Sequence, residues 1–168
     1  MAVKSADVKK EEAIMSEQQI SATRTMDAAS DEVFNVLSNP EQHARIDGSG
    51  LVQSDETSNR ITDTGQTFTM NMEWEKMGGA YKTENHVVGF DENKLLAWMT
   101  APAGEEPPGW QWIWSLQSQG STTTEVTVTY DWSHVTDKDV LHKVGFPAIP
   151  QEDLESSLDN LAAMVSRN

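Results

Sequence analysis

The 168-residue sequence contains no cysteine. That removes a disulfide framework, a thiolate nucleophile and any cysteine-ligated zinc site in one step. Basic residues are scarce: 12 Lys and Arg stand against 27 Asp and Glu, a formal charge of −15. A surface of that sign repels phosphate backbones and anionic bilayers, so nucleic acid is not an expected partner. The acidity reads instead as a well-solvated surface that keeps the chain a monomer or a weak dimer. No stretch approaches the roughly 18 consecutive apolar residues that a spanning helix needs, so no membrane insertion is expected. The opening MAVKSADVKKEEAIMSEQQ lacks an apolar signal-peptide core, and a cytoplasmic setting follows as an expectation. The sequence also lacks G-x-G-x-x-G, G-x-x-x-x-G-K, H-E-x-x-H and a calcium loop, so no cofactor and no metal is expected.

What the chain has is tryptophan. Aromatic residues make up only 7% of it, yet six of them are Trp. Trp110, Trp112 and Trp114 recur at every second position in GWQWIWSL, which together with Leu116 puts four large apolar groups on one face of an extended strand. Other segments alternate in the same way. QISATRTMDA reads as a first strand, and Gly65 to Trp74 as a strong one with Phe68, Met70, Met72 and Trp74 on a shared face. Ala80 to Phe90, Leu95 to Ala101 and Thr122 to Ser133 complete a run separated by turn residues at even spacing, the pattern of an antiparallel meander. A weaker strand is expected over Leu51 to Glu56. Between the first strand and the meander, SDEVFNVLSNP predicts a short helix with Ser30 as N-cap, and EQHARID a further helical turn. After Pro150, Leu154, Leu158, Leu161 and Val165 repeat at helical spacing, which predicts a long terminal helix with one apolar stripe. Residues 1–17 are polar and unpatterned and read as a flexible tail, leaving 18–168 as a single domain.

This order of elements resembles the START and birch-pollen-allergen (SRPBCC) superfamily, and within it the polyketide cyclase/dehydrase group. The segments that carry the likeness are ASDEVFNVLSNPEQH, GQTFTM, ENHVVGFDENKLLAWM, the W-x-W-x-L strand, TEVTVTYDWS and FPAIPQEDLESSLDNLAAM, covering the chain from Gln19 onward. The resemblance implies an α+β helix-grip fold: a curved antiparallel sheet of about seven strands wrapped round a long C-terminal helix, with two short helices after strand 1. It also implies a cavity between sheet and helix that accepts a small hydrophobic, lipid-like or polycyclic molecule. It implies no reaction, because fold and chemistry are separable.

The residues point the same way. One leucine stripe is thin cover for so many aromatic rings, and adaptable methionines join them. Candidate wall residues are Met70, Met72, Trp74, Trp98, Trp112, Trp114, Tyr130 and Trp132, with Tyr81 and Asn85 as polar contacts. Lys82 and Glu84 should turn outward, which sends Tyr81, Thr83, Asn85 and Val87 in and His86 out. Arg24 is expected to snorkel to solvent, and His43 and Arg45 to lie exposed near the mouth. The segment from His134 to Pro150, with no clear period, is expected to flank the entrance, Phe146 and Ile149 forming an apolar plug. Two alternatives to a pure binder remain at this level. One is a cyclase-like enzyme drawing its acid or base from Tyr81, Tyr130, Asp131 or Arg24, and the other is a co-chaperone-like module with a filled core and an exposed apolar patch.

Overall fold

The computed structural model describes residues 18–166, so the expected tail over 1–17 lies outside the described residues. Strand β1 (Gln19–Met26) is followed by helix α1 (Ser30–Leu37), a 3-10 turn (Pro40–Gln42) and the short helix α2 (His43–Ile46). Then come β2 (Val52–Asp55), β3 (Thr67–Trp74), β4 (Gly79–Asp91), β5 (Leu95–Pro102), β6 (Gln111–Ser118) and β7 (Thr124–Asp131). Helix α3 (Lys138–Val144) and the long helix α4 (Gln151–Val165) close the chain. The seven strands form one antiparallel sheet in the order β1-β7-β6-β5-β4-β3-β2. The sheet curls round α4 as a half-barrel, the expected helix-grip architecture.

Alternation builds the concave face. Along β7, Thr124, Val126, Val128 and Tyr130 are buried, while their neighbours are only half-buried. A register shift between Val87 and Gly89 leaves Val88 as the extra residue of a bulge on β4, 46% exposed to solvent. Helix α4 buries Leu154, Leu158, Leu161, Ala162 and Val165, so the single apolar stripe faces the sheet. Arg24 on β1 reaches out to an ion pair with Asp159 on the exposed flank of that helix, as snorkelling requires.

Two local readings are corrected. Ala29, not Ser30, is the N-cap of α1, and it makes no side-chain cap bond. The Ser30 hydroxyl is instead 3.0 Å from Thr124 Oγ1, which donates to Ala28 O at 2.8 Å and ties the helix start to β7. The segment from His134 to Pro150 also holds a helix, α3. Asp137 Oδ1 accepts from the backbone N–H of Asp139 and Val140 at its start, and Gly145 ends it in the left-handed region at φ 70°.

Candidate functional site

The stripe of α4 divides the interior in two. Leu158, Leu161, Ala162 and Val165 belong to the core with Val33, Leu96, Val126 and Val128, none of which lines the cavity. The N-terminal half of the helix does not fill what lies beneath it: Leu154 and Ser157 face a cavity of about 350 Å³. That volume lies in the range of small-molecule sites. Its walls come from β3 (Met70, Met72, Trp74), β4 (Tyr81, Asn85), β5 (Trp98), β6 (Trp112, Trp114) and β7 (Tyr130), all of them expected wall residues. Trp132 and Phe146 lie elsewhere. Trp132 sits just past the end of β7, where strand alternation lapses, and its ring stacks on Phe146 at 5.8 Å behind Tyr130. These rings back the wall: Trp132 lies 5.4 Å and Phe146 6.2 Å from Tyr130, and Phe146 lies 5.7 Å from Trp110, while within the wall Trp112 stacks on Tyr130 at 4.4 Å. Trp110, Phe68, Thr83, Thr100 and His43 line the cavity as well and were not among the expected wall residues. Five of the six tryptophans, all but Trp132, therefore face it.

The mouth is crossed by α3, which contributes Val140, Lys143 and Val144, opposite Glu105 and Pro108 of the β5–β6 loop. Lys76 holds α3 to the β3–β4 turn: its Nζ donates to Val144 O at 3.2 Å while lying 5.4 Å above the Trp74 ring. Ile149 lines the cavity as part of the expected plug; Phe146 does not.

The polar groups on the wall differ in how far the protein satisfies them. Asn85 is 4% exposed, and its Nδ2 donates to Phe68 O at 3.2 Å and Thr83 Oγ1 at 3.4 Å, while its Oδ1 accepts from Thr100 Oγ1 at 2.8 Å. The amide thus knits β3, β4 and β5 together and has its partners without a ligand. Asp47 accepts from the Ser49 and Val52 backbone N–H groups and the Ser49 hydroxyl, closing the loop between α2 and β2. The two phenols, Tyr81 and Tyr130, are both pushed above their ordinary pKa, chiefly by burial. Asp47 adds to the rise at Tyr81; at Tyr130 the Ala148 backbone opposes it and Tyr81 adds to it. Both are suited to donating hydrogen bonds and not to accepting a proton. Asp131 is spent on the backbone N–H of Ser133, at 2.8 Å, and neither it nor Arg24 lines the cavity.

His43 corrects an expectation outright. It is 8% exposed, stacked on Trp98 at 5.2 Å and edge-on to Phe68 at 5.1 Å, with Nε2 2.7 Å from Leu37 O. The expectation of exposure failed because the apolar rings that cover it come from β3 and β5. Burial lowers its pKa from 6.5, outweighing the Leu37 bond and the charges of Asp55 and Asp47, which act to raise it. The unfolded chain therefore takes up a proton near pH 6.5 that the folded chain refuses, and stability should fall as pH drops from 6.5 through the lower folded value. Urea midpoints measured from pH 7.5 to 5 should decline more steeply for the natural chain than for His43→Gln. Parallel declines would contradict this reading of the ring.

His86 is half-buried on the opposite face of β4 and does not line the cavity. No helix among the described residues is long and apolar enough to cross a membrane.

Comparison with other proteins agrees with this geometry. A protein from Arthrobacter aurescens superposes with a TM-score of 0.65 at 15% identity, over 89% of this chain and 86% of that one. Zhui aromatase/cyclase from a Streptomyces species gives 0.59 at 15% identity, over 87% and 92%. A START superfamily protein from Mycobacterium smegmatis gives 0.57 at 17% identity, over 88% and 96%. At such identities the likeness is one of fold. In sequence, an uncharacterized protein of Mycobacterium tuberculosis is 27% identical over 114 residues, 68% of this chain and 47% of the relative, so the chain spans about half the length of the curated relative it matches. With residues 27–166 matching its model, the chain belongs to the SRPBCC-type family described as Activator of Hsp90 ATPase homolog 1-like protein.

Proposed function

We propose that the protein binds a small, neutral, ring-containing apolar molecule in the cavity between the sheet and the first half of α4. The observation that supports this most is the unfilled volume of about 350 Å³ faced by Trp74, Trp98, Trp110, Trp112 and Trp114. Indole faces in such number suit aromatic or polycyclic ligands, through stacking as well as area. Met70 and Met72 give the wall side chains that adjust to more than one shape. The same proposal includes a cytoplasmic setting and a chain that works as a monomer or weak dimer.

A cyclase-like reaction has less support. Of the candidate acids and bases only Tyr81 and Tyr130 reach the cavity, and burial biases both against losing a proton. A docking module for another protein has less still: the large apolar residues exposed among the described ones are Val88 and Leu141, on different elements and too few for a patch. Native mass spectrometry of the protein isolated from its own host, without denaturation, tests the reading. A co-purified small molecule that leaves on addition of organic solvent is the expected result. A clean mass of the chain alone, with no binding to a panel of aromatic ligands afterwards, would remove the proposal.

A further inference from the structure

Among the buried side chains on the cavity wall, Tyr130 and Trp114 present an O–H and an N–H, whereas His43 presents a bare acceptor. His43 Nε2 lies 2.7 Å from a backbone carbonyl, which can only accept, so Nε2 carries the ring proton. With the imidazole neutral, Nδ1 holds a bare lone pair. No protein group among the described residues donates to it. The buried side-chain atoms without a partner are Asp55 Oδ1 and His86 Nε2, and His43 Nδ1 is not one of them. The atom is therefore in contact with open volume, and the volume its ring lines is the cavity. The neighbouring wall offers it nothing. The Thr100 hydroxyl is committed to Asn85 Oδ1, and the Asn85 amide to Phe68 O and Thr83 Oγ1.

We infer that His43 Nδ1 is the acceptor that selects and orients the ligand, so that the site prefers an apolar ring system bearing a neutral hydroxyl or N–H at the end lodged beside Trp98 and Phe68. The ring is pre-set for the task, being clamped by the Leu37 bond, stacked on Trp98 and met edge-on by Phe68. A cationic donor is disfavoured there: Asp55, whose Oδ1 is unpartnered, does not line the cavity, Asp47 is already occupied by Ser49 and Val52, and an ammonium would lose its hydration. The inference deepens the ligand-binding proposal and rests on it.

The test compares 4-phenylphenol with 4-methoxybiphenyl, which differ in the donor and little in shape. Binding is measured by calorimetry at pH 7.5 to the natural chain and to His43→Gln. Glutamine keeps an N–H that reaches Leu37 O and so preserves the fold, but presents no acceptor where Nδ1 stood. We expect the phenol to bind the natural chain about five- to tenfold more tightly than the ether. His43→Gln should abolish that preference, the phenol losing about five- to tenfold more affinity than the ether. In the natural chain labelled with 15N-histidine, the Nδ1 resonance should move upfield with the phenol and stay in place with the ether. Equal affinities in the natural chain, or equal losses for both ligands in His43→Gln, would overturn the role of His43 while leaving the cavity a binding site. Failure of both compounds to bind would overturn the role and count against the ligand-binding reading as well.

Discussion

Replacing Gly48 by alanine should cost about 2–3 kcal/mol of stability and lower Tm by roughly 5–10 °C. A Cβ at this position would stand 2.5 Å from the Asp153 carbonyl oxygen, 2.6 Å from Ser156 Cβ and 2.8 Å from the Ser157 nitrogen. Two of those atoms belong to the backbone of α4 and cannot swing aside. The approach has a purpose. The Gly48 N–H donates to Ser157 Oγ at 2.8 Å, and Asn160 Nδ2 donates to Ile46 O at 3.1 Å, which clamps the loop after α2 to the helix and closes one side of the cavity. Displacing that loop should weaken ligand binding along with the fold. Gly78→Ala is the control. Gly78 has φ 82° and no atom within 4 Å of an added Cβ, so only left-handed backbone strain, about 1 kcal/mol, is expected. Thermal melts of the two variants that coincided would contradict the close-contact explanation.

Leu154→Ala and Leu158→Ala should each lose about 3–5 kcal/mol, since both side chains are 1% exposed. They should part company in the presence of ligand. Leu154 lines the cavity, so its removal joins new space to an existing site. Leu158 does not line the cavity, so its removal should leave a separate void in the core. A bulkier aromatic alcohol present at a hundred times its Kd for Leu154→Ala should therefore stabilise that variant by about 2.7 kcal/mol, and the natural chain, which binds it less tightly, by less. It should bring no such gain to Leu158→Ala. Equal ligand-induced shifts in Tm for both variants would show that the division of the interior is wrongly drawn.

Much of this architecture is legible in the sequence because it rests on local periods. Alternation over Thr67–Trp74 and Thr124–Asp131, with turn residues between strands, marks the concave face of the sheet. A leucine every three or four residues marks α4. The cavity itself follows from a mismatch of amounts, with more large rings on the strands than one helix stripe can cover. What stays hidden depends on partners far along the chain. Asn85 looks like a ligand contact until the register sets it beside Phe68 and Thr100. His43 looks exposed until Trp98 and Phe68 close over it. Trp132 shares the alternation of Val128 and Tyr130, but the strand stops at Asp131 and the ring turns behind the wall. Helix α3 escapes notice because it has only seven residues and fully buries none, so its apolar face is no more than Val140, Leu141 and Val144; Asp137 before it and Gly145 after it are the other signals present.

The interior volume beneath the tryptophans is best tested with 5-fluorotryptophan incorporated throughout the chain and 19F NMR recorded during titration with an aromatic ligand. The resonances of Trp74, Trp98, Trp110, Trp112 and Trp114 should shift, while that of Trp132, outside the cavity, stays in place. A spectrum in which no resonance moves, or in which Trp132 moves as far as the others, would contradict a ligand cavity at this site.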